Sequence, residues 1–159
     1  MAAGGVINAA IGSNPSMSRE LGFQIRSAAL RDEAVRKVTD ALDVEGFIVV
    51  TRIEVDQVFD EEIGTKYRPY TILGVCSPPL AHATLTEAPQ LGLMFPLNVT
   101  IEADISGSLI RIMDPELLSQ SGNLAADDAV QRVAKDARRR LHRVAEALRA
   151  QNIGNLARS

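Results

Sequence analysis

The apolar positions change period along the chain, and each change marks an element. In "LGFQIRS", Leu21, Phe23 and Ile25 alternate with other residues, the period-two pattern of a short strand. "RDEAVRKVTDALDVEG" follows, and there Ala34, Val35, Val38, Ala41 and Leu42 fall on one helical stripe. Asp32 and Glu33 near its start suit the helix dipole, and Gly46 can close its end. "FIVVTRIEV" is β-branched and apolar, a second strand. "DQVFDEEIG" predicts a short helix with Val58, Phe59 and Ile63 turned inward.

"YTILGVC" predicts a third strand. Ser77 then suits an N-cap and Pro78 a first helical position, where a missing N–H costs nothing. The helix "PPLAHATLTEA" must stop before Pro89. "LMFPLNVTIEAD" and "SLIRIM" read as two strands joined by a hairpin at Ser106-Gly107. Pro96 has no N–H for a ladder and predicts an edge or a bulge. The clearest element comes last: Val130, Val133, Ala134, Ala137, Leu141, Val144, Ala145 and Leu148 make one continuous stripe, with Asp127 and Asp128 at its start and Arg149 at its end. Helices alternate with strands, but one strand pair is a tight hairpin, which favours an α+β fold over a doubly wound parallel sheet.

Length and composition narrow the class. The 159 residues, 46% hydrophobic and 23% charged, suit a single globular domain over residues 21–151. Residues 1–20, rich in Ala, Gly and Ser, read as a flexible or docking arm, and residues 152–159 as a tail. A net charge of −3 and 4% aromatics argue against nucleic acid and anionic membranes as partners. One cysteine makes no internal disulfide, and with two histidines it makes a poor zinc site, so neither metal nor cofactor is expected. No apolar run is long enough to span a bilayer, and "MAAGGVINAAIG" lacks a basic leader, so a cytoplasmic location is expected.

Four blocks carry a family resemblance: "ALDVEGFIVVTRIEVD", "YRPYTILGVCSPPLAHATL", "GLMFPLNVTIEAD" and "DPELL". From Ala34 to about Leu118 the chain resembles the bacterial and archaeal family called domain of unknown function 302. The middle block is the specific one: an apolar strand, Cys, a small polar residue, Pro, then Ala-His and Leu. The resemblance implies an antiparallel sheet curved round helices, and a homodimer. With the elements above, the expectation is an α+β fold with a curved, largely antiparallel sheet of about five strands packed against two main helices. Three positions depart from the family pattern. Ser77 stands where relatives typically carry Asn, Leu97 where many carry a second Cys, and Asp60-Glu61-Glu62 replaces a Lys-rich segment.

The candidate chemistry centres on Cys76. A thiol just before a helix start lies near unpaired N–H groups and the positive end of the dipole, a setting of reactive cysteines; a free cysteine at a strand end is equally a small buried hydrophobe. His82, in the same helix, is a base or ligand if it reaches Cys76 and a surface histidine otherwise. Tyr67, Arg68 and Tyr70 open the third strand, where Arg68 can fork onto a carboxylate or phosphate or pair with a neighbouring acid. Asp114-Pro115 is explained by helix capping. The arginines of the last helix spread round its polar arc as a solvated face, and the acidic run at Asp60 reads the same way. Ligand-binding candidates are therefore Arg68, Tyr70, Cys76 and His82. The reading is a dimeric small-ligand-binding module with a pocket near the Cys76–His82 loop. Its rivals are a thiol-dependent enzyme or sulfur carrier using Cys76, and a structural subunit docking through the arm.

Overall fold

Five strands form one wholly antiparallel sheet in the order β1-β5-β4-β3-β2. In the computed structural model, which describes residues 21–120 and 122–156, these are β1 (Gly22–Ser27), β2 (Ile48–Glu54), β3 (Tyr70–Cys76), β4 (Leu97–Asp104) and β5 (Gly107–Met113). The helices are α1 (Arg31–Val44), α2 (Val55–Ile63), α3 (Pro78–Glu87), α4 (Pro115–Ser119) and α5 (Asp128–Leu156), with short 3-10 turns at Pro89–Met94 and Gly122–Ala126. The fold is α+β, and the expected N-terminal arm lies outside the described residues.

Alternation along the strands sends Ile25, Leu73, Val75, Val99, Ile101, Ile110 and Ile112 to one face. There α1 and α5 bury them with their own stripes, Ala34, Val35, Val38 and Leu42 from α1 and Leu141, Val144, Ala145 and Leu148 from α5. The two stripes were plain in the sequence because a 3.6-residue apolar period over this length has no other outlet than a core.

Local devices fix where elements stop. Gly46 closes α1 at φ 78°, its N–H donating to Asp43 O and that of Phe47 to Leu42 O at 3.0 Å, the paired bonds of a Schellman motif. Phe47 is thereby turned into the core. Asp114 caps α4 by accepting from Glu116 N–H at 3.0 Å. Asp127 accepts from the N–H groups of Ala129 and Val130 at the start of α5. Arg31 anchors the start of α1 to the sheet by pairing with Glu54 and donating to Thr71 Oγ1 at 3.0 Å.

Several expectations are corrected. α2 forms as predicted, but none of its residues is buried: Val58 and Ile63 are exposed and Phe59 is half-buried edge-on to Tyr67. The helix packs beside β3. β4 is a central strand, so Pro96 marks neither an edge nor a bulge in it. The ladder begins after Pro96, at Leu97, and Leu93 and Met94 belong to the 3-10 turn before it. α5 also runs through residues 152–156, which the sequence reading gave to the tail.

Candidate functional site

At the junction of β3 and α3 the inner layer is incompletely filled. Cys76 ends the strand, Ser77 makes the corner, and α3 leaves at Pro78. Leu80 and Thr84 of α3 face a wall formed by Val130, Val133, Ala134 and Ala137 of α5. Leu97 of β4, Phe47, Leu118 and Ser119 of α4, and Leu91, Met94 and Phe95 before β4 also line it, and one side is open. The small side chains of Ala134 and Ala137, on the same stripe as Leu141 and Val144, line this space. The cavity has a volume of about 60 Å³, where one water takes about 10–15 Å³, and about 580 Å³ of atom-free space with its open mouth counted.

Its chemistry is almost wholly apolar. None of the residues lining it is charged, and Cys76, which is half-buried, is the one titratable group among them. Three of the lining residues carry hydroxyls, and their partners differ. Thr84 Oγ1 donates to Leu80 O at 2.8 Å and Ser119 Oγ donates to Glu116 O at 2.9 Å. Ser77 is only 3% exposed, yet its Oγ is buried with no hydrogen-bond partner. It occupies the N-cap position but makes no capping bond. A capping oxygen accepts from the N–H of the second or third helical residue, and the second here is Pro79, which has none. Pro78 and Pro79 together also thin the N–H groups at the helix start, which weakens the electropositive setting expected for Cys76.

The sequence candidates separate. Cys76 lines the cavity, but His82 is exposed on α3 and does not, its carbonyl accepting from Thr86 Oγ1. Tyr70 begins β3 and Cys76 ends it, six residues apart, about 20 Å along an extended strand. Tyr70 lines a broad groove on the opposite face of the sheet with Gln24, Asn98, Thr100, Arg111 and Met113. Arg68 is exposed above that end of the sheet, 5.4 Å from the Tyr67 ring centroid and 3.6 Å from Glu102, which Arg111 also holds. Asp114 is a cap, as expected, and pairs in addition with Arg138 at 2.9 Å.

Sequence reasoning missed Ser77 as a cavity residue and took Ala134 and Ala137 for plain core. The signal for Ser77 was legible, since a cap followed by two prolines loses an N–H donor for its oxygen to accept from. Among the described residues no group of His, Cys, Asp and Glu is placed to hold a metal ion, and no helix is long and apolar enough to cross a membrane.

A family model described as "Domain of unknown function DUF302" matches residues 23–148. The chain belongs to the DUF302 family. Within it, the crystal structure of an uncharacterized conserved DUF302 protein from Bacillus stearothermophilus has the same fold, with a TM-score of 0.72 at 23% identity over 82% of this chain and 99% of that one. No functionally curated protein matches this DUF302 chain. The match takes in β1 from Phe23, β2 to β5 and α1 to α4, and it ends at Leu148 in α5, so the cavity lies wholly inside the family's domain.

Proposed function

We propose that this DUF302 protein is a small-ligand-binding module whose ligand occupies the cavity at the β3–α3 junction. The observation that carries this reading is an uncharged, largely apolar cavity left open in an otherwise filled core. An apolar occupant removes this apolar wall from water. The absence of any charged base or acid from its lining argues for binding rather than catalysis.

The test is titration of the protein with N-phenyl-1-naphthylamine, a neutral apolar dye, in parallel with an Ala134→Leu variant that fills the cavity. Saturable binding at one site per chain, lost in the variant while its melting temperature holds or rises, is the expected result. Binding that is unsaturable, or equal in both proteins, overturns the reading.

The reading includes a homodimer. β2 supports it: it is an edge strand, and Ile48, Val50 and Ile53 are 46%, 48% and 45% exposed. The other edge is already blunted, because Arg149 and Asn152 of α5 donate to Gln24 O and Arg26 O of β1. A second copy covering β2 removes the apolar edge that remains.

The thiol alternative has one observation in its favour, that half-buried Cys76 lines the same cavity. Against it stand the two prolines and an exposed His82 outside the lining.

A further inference from the structure

α1 and α5 cover one face of the sheet, and the groove on the other face, about 780 Å³, has the size of a small-molecule site. Strand register sets what lines it. Arg111 of β5 stands directly between Gln24 of β1 and Thr100 of β4, so the three share one row on the outer face. Asn98, two residues before Thr100, and Met113, two after Arg111, point the same way. Beyond Met113 the chain turns into α4, whose Leu117 gives that end an apolar wall, and Tyr70 stands toward the other end.

Arg111 is the one charged residue in the lining. Its Nη1 pairs with Glu102 at 2.5 Å, and Arg68 approaches the same carboxylate at 3.6 Å from outside the groove. Two guanidiniums thus share one buried carboxylate, which leaves one positive charge in excess. The next ionic pair along this face, Arg26 with Asp104, is balanced in itself. Arg111 is exposed, and among the described residues its Nε and Nη2 bond to nothing. The side-chain amides of Gln24 and Asn98, also exposed, have no partner among them either.

We propose that this groove is a second binding site, for a monoanionic organic carboxylate with an apolar body. The carboxylate accepts from Arg111 and Gln24, and the body lies along Met113 against α4. The charge count carries the choice: one excess positive charge matches a single negative one, a phosphate dianion exceeds it, and an amine is repelled by the guanidinium. Two carboxylate oxygens also suit a planar fork. The site is separate from the cavity at the β3–α3 junction, with which it shares only Leu118, and it lies toward the β1 edge of the sheet, away from β2.

The full chain, isotope-labelled, is titrated at pH 7 under NMR detection with 4-phenylbutyrate, 4-phenylbutanamide, acetate and 3-phenylpropyl phosphate. The butyrate is expected to fill one site per chain and to move the amide signals of Gln24, Arg111 and Met113, leaving those of Val130 and Ala134 in place. The neutral amide and acetate each lack one half of the ligand and should bind about 10-fold or more weakly. The phosphate should bind no better than the butyrate. Arg111→Gln should weaken the butyrate about 10-fold or more, and added salt should weaken it in the parent. Gln24→Glu sets a carboxylate beside Arg111 at an exposed position with no side-chain bond to lose, and should abolish binding; it keeps the test open if Arg111→Gln does not fold. Ala134→Leu should leave the butyrate unaffected, so this proposal and the cavity reading fail separately. The proposal is overturned if nothing binds, if the amide matches the butyrate, if the phosphate binds more tightly, if a folded groove variant binds as the parent does, or if signals move only around the cavity.

Discussion

Arg143 grips Glu45 with two nitrogens, Nε at 3.0 and 2.9 Å from the two carboxylate oxygens and Nη2 at 2.7 Å from one of them. The fork joins the end of α1 to the middle of α5, 98 residues along the chain. The hydrogen bond from Arg143 is the main cause that holds the Glu45 carboxyl below its ordinary value of 4.5; burial opposes it, and the charges of Arg143 and Arg140 add to it. A carboxyl depressed in the folded state stabilises the fold above its unfolded value and loses that contribution as pH falls through the folded value. Acidification from pH 6 to below 4.5 should therefore shift the urea midpoint of the parent further than that of Glu45→Gln. Equal shifts in the two proteins would show that the fork is not coupled to folding.

Leu141 is fully buried in the centre of the α5 stripe. Leu141→Ala should cost about 2–5 kcal/mol in urea unfolding. An unchanged midpoint would mean that α5 is not docked on the sheet. The contrast with Ala134→Leu is informative, because one substitution empties the core and the other fills it, on the same helix and within two turns.

At Gly74 a side chain has no room: a Cβ would lie 2.2 Å from Thr51 Oγ1 and 2.6 Å from Pro96 Cγ. Gly74→Ala should cost about 1–3 kcal/mol, the range of overpacking. Adding Thr51→Ala should recover part of the loss, read as non-additivity in a double-mutant cycle of urea midpoints. Strict additivity would place the strain elsewhere.

The exposed edge of β2 predicts the assembly. Sedimentation should show a dimer at micromolar concentration, and Val50→Lys, which sets a charge in the apolar stripe without touching the core, should give a folded monomer. A monomeric parent, or an unaffected dimer in the variant, would remove β2 as the interface.

Cys76 offers a reporter of occupancy. Its position on the cavity wall predicts that iodoacetamide alkylates it several-fold more slowly when N-phenyl-1-naphthylamine is bound than when it is absent. Unchanged labelling at saturation would place the dye away from the thiol. Rapid, stoichiometric labelling of the empty protein near neutral pH would favour the carrier alternative.

What could be read from the sequence was whatever is local. The stripes of α1 and α5, the closing turn at Gly46 and the cap at Asp114 each follow from residues within a turn or two of one another. Strand order was out of reach, since β1 finds β5 and not β2, and nothing near Phe23 or Ile25 encodes that choice. α2 was misjudged because an apolar Val58 or Ile63 signals burial only when another layer arrives to bury it. The cavity was hidden for the same reason. Ala134 reads as core in any helix, and whether it packs or leaves a void depends on where α3 and α4 run. Cys76 was found by its rarity, whereas Tyr70, close to it in sequence, opens the far end of the same strand, and Arg68 lies just before it.

The order of the strands has a consequence for synthesis. β2, β3, β4 and β5 pair successively as they are made, but β1 must wait, because Ser27 pairs with Ser108, 81 residues later. During synthesis β1 has no sheet partner until β5 emerges, and closing so long a loop is slow. Gly107 then admits it: at φ 142° it leaves bare backbone where a Cβ would stand 2.1 Å from Ser27 O. Among the described strands the earliest made therefore has no partner in the sheet until β5 has been translated.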